Sequence, residues 1–339
     1  MTELRPLDNT TPQTLSEPTP GLAEEVAAAW RSLPFKAPLL TLGTAWIALF
    51  VFLGNSTFGY IDSPSLFGWL AYAYSLSQDD ELGKYVPFIV AVLCWRNKDE
   101  LLACPKAPWA GGIALVGFAL LLHLLGFLVQ QTRLSVVGFY VGIYGLIGTI
   151  WGWRMLKAIF FPFFLFAFCV PLGTLAETIT FPLRVVATNI TTWTSQHLLG
   201  VTVIQSGNKI LDAQGAFQYE VAAACGGLRS LTATLALASI YAFITLERPW
   251  RRALMILSAL PLAVAGNVLR LTMIILAAEA FGQKAGMWVH DNSILSLLPY
   301  VPAFLGLGAL GALLRERSPA STTPPSSSSP PPEPAPLTL

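Results

Sequence analysis

A cysteine, two arginines and a histidine carry most of the chemical content of this 339-residue chain. They are Cys225 and Arg229 in AAACGGLRS, Arg270 in GNVLRLTMII, and His290 in MWVHDNS. A thiol, a guanidinium and an imidazole are the parts of a thiol-based acyl-transfer site: nucleophile, oxyanion clamp and general acid/base. Cys225 falls where strand-like sequence gives way to Gly226 and Gly227 and then to an apolar helix. The unpaired N–H groups and partial positive charge at a helix start lower a thiol pKa and enlarge its thiolate fraction. Arg229, four residues on, adds formal positive charge, and the two glycines let a substrate backbone approach closely. Cys94, Cys104 and Cys169 have no such neighbours and read as small buried apolar residues.

Arg270 interrupts an apolar helix, and an arginine within a membrane costs about 3 kcal/mol or more, so it usually faces a polar, functional interior. Asn267, one turn earlier on the same face, is spaced to hydrogen-bond either Arg270 or a substrate. His290 has Asp291 beside it as an orienting partner, and imidazole is the usual proton shuttle near neutral pH. His123 falls towards the middle of an apolar run, but His197 is a competitor, and spacing alone does not choose between it and His290.

The elements that position these residues follow from composition. Hydrophobic residues make up 54% of the chain and charged residues 12%, against roughly 25% charged in a soluble domain. With a mean hydropathy of +0.60, this describes an all-α polytopic membrane protein. A net charge of +1 without a basic, aromatic-interleaved patch gives no sign of nucleic-acid binding. The four cysteines lack metal-ligand spacing, so neither a metal nor a disulfide framework is expected.

A hydrocarbon layer of about 30 Å needs ~20 apolar residues per helix. Runs near that length fall at 39–54, 85–96, 111–129, 134–153, 156–172, 228–246, 253–281 and 293–314, or about eight spans. Lys and Arg concentrate in alternate short loops, which puts both termini on the cytoplasmic side. A span beginning near Ala253 then carries Arg270 roughly 26 Å across the layer, and Cys225 and His290 fall on the same outer side. Within 173–224, Ile179, Leu183, Val186, Ile190 and Trp193 recur at helical spacing and predict an amphipathic helix along the membrane surface. TVIQ, NKILD and AFQYEVA predict a small β-meander delivering the chain to Cys225. The organisation expected is a polar cytoplasmic N-terminal segment over 1–36, without the layout of a cleavable signal, a transmembrane domain over 37–317, and a disordered Pro/Ser-rich tail over 318–339.

The order AC-x-G-[LI]-R-S, then P-x5-N-x2-R with Pro261, Asn267 and Arg270, then an outer histidine, resembles the exosortase/archaeosortase family of membrane transpeptidases. Pro171, Pro182, Gly200, Gly207 and Asn208 extend the similarity upstream. The resemblance implies a catalytic Cys225, Arg270 and His290, favouring His290 over His197. It also implies cleavage and transfer of exported proteins at the outer face of the plasma (inner) membrane, and no cofactor. The implied partners carry a C-terminal sorting signal made of a short motif of the PEP-CTERM kind, a transmembrane helix and a basic end. Gly226 departs from the Ser or Ala common after the cysteine in that family, which leaves the preferred motif open. Two other classes compete: a transporter or channel, and a non-catalytic scaffold for cell-surface assembly. Transporter sites usually lie at the bilayer midplane between internal repeats, which fits neither the outer placement of these residues nor the absence of a visible repeat.

Overall fold

Backbone inside lipid has no water to bond to, so it must satisfy its own N–H and C=O groups, and a helix does so within one segment. The computed structural model describes residues 21–54, 63–76, 80–207, 209–213, 218–220, 228–292, 295–297 and 300–315. It divides into two units, Met1–Trp69 with Pro87–Phe166 and Leu70–Val86 with Ala167–Leu339.

The first unit contains α1 (Leu22–Ser32), α2 (Lys36–Phe52), the start of α3 (Leu66–Leu76), most of α4 (Val86–Arg96), α5 (Lys98–Ala103), α6 (Gly111–Leu128), α7 (Thr132–Trp151) and α8 (Trp153–Phe164). Its centre is the α6–α7 pair, packed through small residues. Gly112, Ala119 and Gly126 of α6 are buried, as are Gly138, Gly142 and Gly145 of α7. A Cβ added at Gly112 would come 2.3 Å from the main-chain nitrogen of Thr149. Close backbone approach of this kind is how helices gain dispersion energy in lipid, where burial of apolar surface gives little. The indole of Trp46 on α2 fills the space before Gly142 and donates to the Phe139 carbonyl at 3.1 Å. His123 is held structurally, with Nδ1 3.0 Å from Ser135 Oγ and Nε2 3.1 Å from the Leu53 carbonyl.

The second unit contains the rest of α3, α9 (Thr174–His197), β1 (Val203–Ser206), β2 (Lys209–Asp212), β3 (Gln218–Glu220), α10 (Leu228–Thr245), α11 (Pro249–Phe281), α12 (Gln283–Asp291) and α13 (Tyr300–Leu314). The three strands form an antiparallel meander in the order β1-β2-β3, with Ser206 opposite Lys209 and Ile210 opposite Tyr219. Asp80 positions the start of α9 by accepting the main-chain N–H groups of Leu172 at 2.9 Å and Gly173 at 3.1 Å. Residues 180–187 of α9 meet residues 263–267 of α11, and Ala187, Val201, Val203 and Ile210 pack on Leu271, Ile274, Ile275 and Ala278. The sheet therefore packs against the later part of α11.

The amphipathic helix predicted after residue 173 is α9, but its faces are used in the opposite way to a soluble helix. Thr180, Arg184, Thr188, Thr191, Thr192 and Ser195 are buried, whereas Val186, Ile190 and Trp193 are exposed. That is the arrangement suited to lipid, where the apolar face points outward.

Among the described residues, three helices are long and apolar enough to cross a membrane: α6, α7 and α11, or four if α1 and α2 are taken as one bent span. The apolar α4, the Leu231–Thr245 stretch of α10 and α13 are shorter. The run at 156–172 is not one helix. Pro162 lies near the end of α8, and a 3-10 segment over Leu165–Cys169 follows. Proline lacks an N–H and crowds the preceding turn, which favours a break there.

Candidate active site

Helix α11 carries Arg270, and the chain then reverses at Gly282 so that α12 folds back along it. Gly282 has φ 83° and ψ 169°, a conformation open in practice only to glycine. Val289 seals the hairpin by packing on the core formed around Leu271, Ile274 and Ile275. The result brings two of the predicted residues together. Arg270 Nη2 donates to the main-chain carbonyl of His290 at 3.2 Å. That carbonyl belongs to the last turn of α12, where the final C=O groups lack helical partners and carry partial negative charge. The guanidinium thus caps α12, and its buried Nε has no hydrogen-bond partner among the described residues.

The His290 ring is oriented by its neighbour, as the sequence suggested: Nδ1 lies 2.8 Å from Asp291 Oδ1. Carboxylate bonding at Nδ1 fixes the ring and assigns proton transfer to Nε2. His197 is placed differently. Its Nδ1 is 3.0 Å from the Trp193 carbonyl one turn back, and its ring stacks on Trp193 with centroids 5.2 Å apart. Among the described residues nothing joins it to Arg270.

Asn267 is buried, at 4% exposure. No hydrogen bond joins it to Arg270 among the described residues; instead it lines a small cavity with Thr180, Leu183, Ala187 and Leu231. Cys225, Gly226 and Gly227 lie outside the described residues. The backbone of Arg229 is in the first turn of α10. Cys169 is fully buried and its Sγ is 3.5 Å from the Gly83 carbonyl, which suits the structural role expected of it.

The burial of Arg184 was not legible in the sequence. The charge pattern counts it as an outer-loop cation, yet it is 5% exposed on the inward face of α9. Its Nη2 donates to Thr180 Oγ1 at 3.1 Å, and its buried Nε has no partner among the described residues. No carboxylate among the described residues pairs with it. Thr191 Oγ1, Thr192 Oγ1 and Ser195 Oγ on the same helix are also buried and have no hydrogen-bond partner among the described residues. A signal was present in the sequence: the Thr/Ser positions recur at helical spacing opposite the apolar stripe.

An arginine held on the main chain of a residue whose imidazole is oriented by a carboxylate supplies the groups needed to stabilise a developing oxyanion and to move a proton to or from a departing group. Residues 69–305 match the family model described as transmembrane exosortase (Exosortase_EpsH). The chain belongs to the transmembrane exosortase family, and it is a membrane protein. No curated protein and no solved structure matches it.

Proposed function

We propose that this chain is a membrane-embedded cysteine endopeptidase and transpeptidase, which removes the C-terminal sorting signals of exported proteins and transfers them to a surface acceptor. Family membership supports the reaction class, and the hydrogen-bonded Arg270–His290–Asp291 hairpin is the observation that carries the assignment of residues.

In this reading the Cys225 thiolate attacks the scissile carbonyl carbon. A C–S bond forms while the carbonyl π pair moves onto oxygen. Arg270 stabilises that oxyanion through its guanidinium charge, assisted by main-chain N–H groups near Gly226 and Gly227 and by the charge of Arg229. Collapse of the intermediate breaks the C–N bond, and His290 delivers a proton to the departing amine, leaving a thioester. The acceptor, an amine, hydroxyl or water, then loses its proton to His290, attacks the thioester and releases the Cys225 thiolate. Asn267 contributes a polar wall beneath the site. The proposed setting is a plasma (inner) membrane protein of about eight spans, with cytoplasmic termini and an outward-facing site.

The test is to express Cys225→Ala in the host and follow a tailed secreted substrate by mass. Loss of the processed form is expected; unchanged processing overturns the nucleophile assignment.

A further inference from the structure

Helix α1 does not continue into α2. The two are bent by 101°, and the corner is built rather than loose. Phe35 sits in the left-handed region at φ 57°. The Trp151 indole donates to the Pro34 carbonyl at 3.0 Å, and Lys36 Nζ donates to the Arg31 carbonyl at 2.8 Å, capping the end of α1. On the far side of α1, Glu25 forms an ion pair with Lys98, whose Nζ also lies 4.3 Å from the centroid of the Trp95 ring. If α2 crosses the bilayer, a helix held at a right angle to it lies along the surface.

The residues of α1 suit that position. Leu22, Val26 and Trp30 recur every four residues and are 68%, 47% and 42% exposed. Ala29 and Leu33, on the adjoining sector, face inward onto a cavity of about 460 Å³. Other walls come from Ala91 and Trp95 of α4, Ile143 of α7 and Phe163 of α8, and the lining is almost wholly apolar. Lys98 supplies the charged lining group, and it is already paired with Glu25.

We infer that α1 and this cavity form a phospholipid-binding site of the inner leaflet. Helix α1 lies in the headgroup plane with Leu22, Val26 and Trp30 turned to the acyl region. One acyl chain enters the cavity beneath it. Chain burial rather than headgroup charge drives occupancy, because the cation at the rim is neutralised by Glu25. The cytoplasmic placement follows from the excess of Lys and Arg around these segments. The inference is independent of the proposed reaction, and its test needs no substrate.

The full-length chain is placed in nanodiscs of phosphatidylethanolamine and phosphatidylglycerol that contain a phosphatidylethanolamine with a diazirine on one acyl chain. Photolysis and peptide mapping should label α1 and the cavity segments of α4 and α8, together with the lipid-facing side of α6 as an internal reference. Ala91→Trp and Ala29→Trp fill the cavity from opposite walls. Each excluded methylene lowers occupancy by a factor of roughly four, so two reduce α8 labelling roughly fifteenfold relative to α6. Val26→Glu should lower α1 labelling. Equal α8-to-α6 labelling in the wild type and both filled variants overturns the cavity site. So does a chain-to-chain cross-link at the cavity. An unlabelled α1 in the wild type overturns its surface placement.

Discussion

Arg270 and His290 are joined across the α11–α12 hairpin by a 3.2 Å hydrogen bond from guanidinium to main-chain carbonyl. In the proposed reaction Arg270 has two duties, capping a helix end and stabilising the oxyanion. A lysine keeps the charge but not the planar fork that allows both. Arg270→Lys is therefore expected to lower processing by about 10² or more. It should also speed amide exchange across 283–291, whereas Cys225→Ala abolishes processing with exchange unchanged. Normal turnover in Arg270→Lys would remove the arginine from the reaction.

His290 and His197 should separate cleanly. His290→Gln is expected to reduce processing by about 10²–10⁴, the usual contribution of a general acid/base. His197→Ala should leave it unchanged, since that ring serves its own helix. Asp291→Asn should fall between them, because the Asp291 side chain is 69% exposed and water weakens the pairing. The reverse order of His290 and His197 would transfer the role to His197.

Gly282 holds a backbone conformation that a Cβ opposes. Gly282→Ala should cost about 1–3 kcal/mol, read as a lowered Tm in detergent. It should also reduce processing, because the turn aims His290. A Tm identical to wild type would mean that the hairpin reverses by another route.

Arg184 is a buried cation whose guanidinium hydrogen-bonds a threonine and pairs with no carboxylate among the described residues. Replacing such a group by an apolar residue of similar length is commonly neutral or stabilising. Arg184→Met is therefore expected to hold or raise the Tm, yet lower processing by roughly tenfold, the loss of about one hydrogen bond to a charged group. A lower Tm with normal processing would make Arg184 purely structural.

Much of the architecture was legible because it depends on local spacing. The β-meander was readable from its turn residues, α9 from its period of 3.6, and the His290–Asp291 contact from adjacency. What period cannot supply is the medium on either side of a helix. The stripe containing Val186, Ile190 and Trp193 gave the correct helix, but not that Thr188, Thr191 and Arg184 would face inward. The hold of Asp80 on Leu172 and Gly173, just before α9, escaped for another reason: it joins segments far apart in the chain. The Arg270–His290 bond was readable as shared sidedness, while its atoms depended on the turn at Gly282. Cys225 rests on its sequence neighbours and the family resemblance alone.

Helix α11 has 33 residues, a rod of about 50 Å, where the oily layer is about 30 Å deep. In the proposed membrane setting, the surplus would set the height of the hairpin above the layer. Lipid that creeps further up the rod would drown the hairpin, and a thin leaflet would leave it standing in water. Short-chain and long-chain nanodiscs should accordingly yield different turnover from the same protein, and indifference to lipid length would argue that the hairpin sits clear of the boundary.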